Sequence, residues 1–109
     1  MSRPIYRRGA PYARNIRELV YLSNHPEQDV TLDAYKLALV KEMRAQFGKR
    51  TLLCLDHYYV RKQCMQDIAR ELGVNVSTVC RNVHRGEEKV DRMLRLANEI
   101  SPIRFQPQS

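Results

Sequence analysis

No part of this chain is apolar for long. The longest uninterrupted apolar runs, such as Leu37 to Val40, are a few residues, far short of the about 20 that a bilayer-spanning helix requires. Acidic residues are missing from the first seventeen positions, which hold five arginines and no continuous apolar segment, so the amino terminus does not read as a secretory signal. Cysteine is scarce and odd in number, at positions 54, 64 and 80, which suits a reducing interior better than a disulfide framework. Also absent are a nucleophile elbow, a glycine-rich phosphate loop and a metal-binding carboxylate cluster, and the cysteines, histidines and acids follow no catalytic order. Together these absences predict a cytoplasmic protein that is no enzyme, crosses no membrane and carries no cofactor.

What remains is the size of one domain. At 109 residues the chain can bury about two-thirds of its unfolded surface, so neither metal nor disulfide is required for folding. Its 43% hydrophobic and 28% charged residues are those of an ordinary globule. The charge is less ordinary: nineteen Lys and Arg against twelve Asp and Glu give +7, which favours a polyanionic partner such as nucleic acid or an acidic surface.

The surplus lies towards the front. Residues 1–50 hold ten basic and five acidic side chains, and residues 51–109 hold nine and seven. Arg3, Arg7, Arg8, Arg14 and Arg17 are interleaved with Pro4, Gly9 and Pro11, whose backbone preferences disfavour a helix before about Tyr12. Residues 1–11 therefore read as a flexible basic arm whose Arg3, Arg7 and Arg8 can reach DNA, or as a loose terminus without a role. Ile16, Leu19 and Val20 predict a helix from Tyr12 to about Ser23, before His25-Pro26. Thr31 with Asp33 opens a second, with Leu32, Tyr35, Leu39, Met43 and Phe47 recurring at helical spacing as core or as a dimer face, and Gly48 as its stop. Residues 12–48 thus form a helical hairpin. Leu52, Leu53, Leu55, Tyr58 and Tyr59 suit a helix with a broad inward face. Met65, Ile68, Ala69 and Leu72 make a short amphipathic helix ending at Gly73, and Val76, Val79, Val83, Val90, Leu94 and Ala97 make a long one. Val74 to Val79 is β-branched enough for a strand, but no second alternating segment exists to pair with it. After Ser101-Pro102, residues 101–109 read as a flexible tail. The expected fold is all-α, a small domain of about five helices with a C-terminal helix-turn-helix.

The most informative segment runs from Met65 to Val79. A helix-turn-helix needs a small residue where its helices touch, a glycine in the tight turn, and aliphatic residues pinning both helices to one core. Ala69, Gly73 and Val79 fall at that spacing, supported by Ile68, Leu72, Val74 and Val83, and Asn75 can cap the second helix. If that helix enters a major groove, Asn75, Val76, Ser77, Thr78, Arg81, Asn82, His84 and Arg85 are the candidate DNA-contacting residues. No carboxylate occurs from Asn75 to Gly86. Arg81 can offer two hydrogen bonds to a guanine edge, and Ser77 and Thr78 are short donors suited to phosphates or bases. The plainer alternative is a solvated polar face.

Leu55 to Val60, followed by Ile68-Ala69-Arg70-Glu71-Leu72-Gly73-Val74 and Ser77-Thr78-Val79, resembles region 4 of the sigma-70 family of transcription initiation factors, over some forty residues from about Thr51 to Val90. The resemblance implies a helix-turn-helix domain over 49–100 that reads a promoter element in the major groove and docks on RNA polymerase. It carries Asn75, Val76, Ser77 and Arg81 to base-side positions and turns the helix of Leu52 to Tyr59 towards polymerase. The chain departs from that pattern in three ways. Arg61-Lys62-Gln63-Cys64 stands where small capping residues are usual, so Cys64 makes a poor cap. Gly86 falls inside the long helix, marking a bend, and there is no room for a promoter-melting domain. The resemblance therefore implies a small sigma-like regulator, bacterial or from a phage or mobile element, rather than a complete initiation factor.

Cys54-x2-His57 and Cys80-x3-His84 supply the residue types of a zinc site, but two of the four lie on the reading helix itself, and thiols without metal are the simpler expectation. Double-stranded DNA, RNA polymerase and a second copy of the chain are the expected partners. The rival readings are a DNA-binding piece of a transposase or recombinase, and a polymerase-binding protein that does not read DNA.

Overall fold

Ile16, Leu19 and Val20 recur at helical spacing with Ala13, and in the computed structural model, which describes residues 13–100, they form the buried face of α1 (Ala13–Ser23). The arm and the tail read from the sequence lie outside the described residues. Arg44, from the following helix, finishes α1. Its Nε donates to the Ser23 carbonyl at 3.1 Å and one terminal nitrogen to that of Leu22 at 2.9 Å, satisfying carbonyls that a helix end leaves open. The same guanidinium grips both oxygens of Asp29, at 2.7 and 3.0 Å, and so fixes the 3-10 turn Pro26–Thr31. This bidentate bond holds the Asp29 carboxyl below its ordinary value and the Arg44 guanidinium above its own. A carboxyl with a depressed folded pKa contributes stability that is complete above its unfolded value of 3.8 and is lost as pH falls through the lower, folded one. Urea midpoints of the wild type should therefore fall more steeply than those of Asp29→Asn on acidification below about pH 4.

The second helix, α2, spans Ala34–Gln46. Asp33 alone caps it, accepting from the Lys36 N–H at 2.8 Å, whereas the Thr31 hydroxyl donates back to the Gln28 carbonyl at 2.7 Å and closes the 3-10 turn. The expected apolar stripe is only partly core. Met43 and Phe47 are buried, but Leu32, Tyr35 and Leu39 are half-exposed and Val40 is the deeper residue. Gly48 does not stop α2 in a left-handed conformation. Phe47 already runs extended, and Gly48, at φ −69°, is the N-cap of the next helix.

That helix, α3 (Lys49–Leu55), runs into a π-helical segment, Asp56–Val60, in which the Arg61 N–H reaches the Asp56 carbonyl five residues back at 3.0 Å. The wider turn brings four consecutive side chains, Asp56 to Tyr59, into the interior. Tyr58 and Tyr59 meet edge to face at 5.2 Å. His57 gives its Nδ1 to the Gln63 amide, whose nitrogen donates to Glu71 at 2.9 Å, so the connection into α4 (Met65–Leu72) is tied at both ends. As the sequence suggested, Cys64 caps nothing with its side chain. Gly73 then adopts φ 68°, ψ 37°, a left-handed pair of angles that costs a residue with a Cβ about 1 kcal/mol or more.

The long helix α5 (Val76–Ile100) lays Val79, Val83, Val90, Leu94 and Ala97 against the core. Gly86 marks no break in it. A Cβ there would lie 2.6 Å from Leu55 Cδ1, so the glycine is what lets α3 approach α5. One continuous core takes residues from every α-helix, with α1 resting on the π segment and α2, and α3 and α4 on α5. Among the described residues there is no strand and no helix long and apolar enough to cross a membrane. The chain is a small all-α domain.

Candidate nucleic-acid interface

The tight turn at Gly73 to Asn75 fixes where α5 begins. The Ala69 carbonyl receives the Val74 N–H at 3.0 Å, and the Asn75 carbonyl receives those of Thr78 and Val79 at 3.0 and 3.2 Å, so the first turn of α5 is anchored by backbone alone. Ile68 and Ala69 of α4 and Val79 and Val83 of α5 are buried between the two helices and the core. The outer surface of α5 is thereby set.

Of the candidate contact residues, Asn75, Val76, Ser77, Arg81 and Arg85 are exposed, Val76 at 39%. Ser77, Arg81 and Arg85 stand four residues apart and form one outward stripe. Thr78 and His84 flank it half-buried. The Thr78 hydroxyl receives a long hydrogen bond, 3.4 Å, from Arg81, which leaves the rest of that guanidinium facing solvent.

Asn82 does not belong to this surface. It is buried, its Oδ1 accepting from the Thr51 hydroxyl at 2.8 Å and its amide donating to the Thr78 carbonyl at 2.8 Å. Its place in the helix, three residues beyond Val79 and one before Val83, is on the core side. Asn82→Ala should accordingly destabilise the fold by about 1–3 kcal/mol, because Thr51 loses its buried acceptor, and should leave any base preference unchanged; urea melts and DNA titrations check the two halves separately.

The same bond brings in two residues that sequence reasoning passed over. Lys49 and Arg50 immediately precede Thr51 and are exposed at the start of α3, so the Thr51–Asn82 contact sets two further cations beside α5. Their signal in the sequence was a basic pair ahead of an apolar helix.

Glu87, the first carboxylate after the acid-free stretch, is turned inward. It is 2% exposed and accepts from the Tyr59 hydroxyl of the π segment. Glu88 is half-buried, and Asp91 is engaged by Arg95 at 2.9 Å. From Val76 to Gly86 α5 therefore faces solvent with cations and hydroxyls and no carboxylate, and the first acid to reach the surface is the half-buried Glu88.

The helix expected to face polymerase offers little. Between Leu52 and Tyr59 only Leu53, at 37%, is exposed, and the other side chains are core. The cysteines and histidines do not converge. Cys54 is buried in α3, where burial pushes its thiol up and Arg50 partly offsets the rise, and His57 is spent on Gln63. Among the described residues no three His, Cys, Asp or Glu side chains are placed to hold a metal. Compared with known proteins, the chain matches no family model, no curated protein and no solved structure.

Proposed function

We propose that this chain is a small sequence-specific DNA-binding transcription regulator, in which α4, its turn and α5 act as a helix-turn-helix and the first half of α5 reads the major groove. The observation that carries the reading is the outward stripe of Ser77, Arg81 and Arg85, which meets no carboxylate from Val76 to Gly86. A major groove admits one α-helix, and a surface without carboxylate on that helix meets phosphates without repulsion. Arg81 takes the base-reading role, since its fork matches the two acceptors of guanine. Ser77 and Thr78 hold the start of the helix, and Lys49 and Arg50 add backbone charge from α3. The likeness to sigma region 4 supports the same reading and adds RNA polymerase as a partner.

The test is selection from a random DNA pool with the purified full chain. A recurring motif, bound at least a thousandfold more tightly than unrelated duplex at physiological salt, is the expected result. A pool that never converges, with affinity tracking only fragment length and salt, would sink base reading. Retention of polymerase on the immobilised protein tests the second partner independently of DNA.

A further inference from the structure

Between α2 and the second half of α5 lies a groove of about 450 Å3. Its walls are two helical stripes, Ala38, Leu39 and Glu42 on α2 and Arg92, Met93 and Leu96 on α5. Leu96 is 59% exposed, the most solvent-accessible large apolar side chain of α5 among the described residues. Across from it Ala38, also exposed, fills little of the space a larger residue would take. The charges are divided in the same manner, with Glu42 on the α2 wall and Arg92, exposed, on the α5 wall.

A two-fold contact requires one surface to carry both halves of every interaction, and this groove does. We infer that it receives a second copy of the same chain, with Leu96 of each copy over Ala38 of the other and Glu42 of each facing Arg92 of the other. Opposite charges, and a large side chain opposite a small one, on a single patch are what such a two-fold pairing needs.

Sedimentation equilibrium of the full chain, up to several hundred micromolar, tests the pairing. The wild type should show a monomer–dimer equilibrium. Arg92→Glu should weaken it at least tenfold, and combining Arg92→Glu with Glu42→Arg should restore it; both positions are exposed, and unchanged thermal melts would show that the fold is intact. A wild type that stays monomeric, or a dimer indifferent to Arg92→Glu, overturns the inference. So does a monomeric wild type that dimerises once Ile103 and Phe105 are replaced by Asp, because the chain's own C-terminal residues would then hold the groove. A dimer that passes the charge swap in a protein that selects no DNA would stand by itself and remove only the DNA reading.

Discussion

Gly86→Val should lower the stability of the fold by about 3 kcal/mol, at the upper end of what overpacking a core costs, and the melting temperature by more than about 10 °C. The reason is local. A Cβ at residue 86 would sit 2.6 Å from Leu55 Cδ1, 3.0 Å from its Cγ and 3.1 Å from its Cδ2, and Leu55 is fully buried with no solvent to move into. Helix propensity works the other way, since Gly in a helix interior is about 1 kcal/mol worse than Ala, so the steric term must exceed that gain. Leu55→Ala by itself should cost about 2–5 kcal/mol as a cavity. Made together with Gly86→Val it should cost clearly less than the sum, because the atoms removed are the ones that collide. Gly48 is the control. Nothing lies within 4 Å of a Cβ built there, it is the N-cap of α3, and Gly48→Ser should be neutral or gain a few tenths of a kcal/mol. Equal losses at the two glycines in urea titrations would mean that the approach of α3 to α5 is not what Gly86 serves.

Arg81→Ala should separate base reading from charge attraction. On the selected site the substitution should cost about 1–3 kcal/mol, and on random duplex much less. The general attraction has other sources: the arm arginines and those around the turn should together neutralise on the order of four to six phosphates, so affinity for every sequence should fall steeply with salt. Replacing Arg3, Arg7 and Arg8 with Ala should weaken selected and random DNA alike and flatten the salt slope. Arg85→Ala, one helical turn beyond Arg81, gives the internal comparison. If Arg81→Ala loses as much on random DNA as on the selected site, Arg81 touches phosphate, and base readout has to be sought at Ser77, Asn75 or Val76.

The elements that were legible in the sequence are those punctuated by a residue with one physical use. Gly73 ends α4 because its left-handed angles exclude most other residues, Asp33 opens α2 because its carboxylate can take a backbone N–H, and the apolar spacing of Ile16, Leu19 and Val20 needed no partner to be read. The π segment left no such mark. An apolar run from Leu52 to Tyr59 looks the same whether its hydrogen bonds span four residues or five, since only the burial of Asp56 and His57 betrays the wider turn. The face of α5 was partly legible. Arg81 and Arg85 stand outward as expected, but Asn82 reads as a contact only by chemical type, and both it and Glu87 occupy the core stripe by position, Glu87 being four residues past Val83 and three before Val90. Polar residues at core positions of a helix are the signal for a buried partner, here Thr51 and Tyr59, and neither partner can be identified without the fold. Lys49 and Arg50 escaped for the same reason, since what gives them a place beside α5 is a contact 31 residues away in the chain.

The seat of α1 has a consequence for how the protein is made. Ile16, Leu19 and Val20 are covered in part by α2, which follows directly, and in part by the π segment of residues 56–60, which is synthesised some forty positions later. Fourteen residues separate the end of α2 at Gln46 from the end of the π segment at Val60, so at the usual 5–20 residues per second a nascent chain holds that helix half-covered for roughly one to three seconds. During that interval the Arg44 grip on Leu22, Ser23 and Asp29 is available, because all its members have already emerged. A nascent chain arrested with residue 46 but not residue 56 clear of the ribosome should therefore show a protease-resistant α1–α2 hairpin whose apolar side still binds a chaperone, and release of that chaperone should track the emergence of Tyr58 and Tyr59.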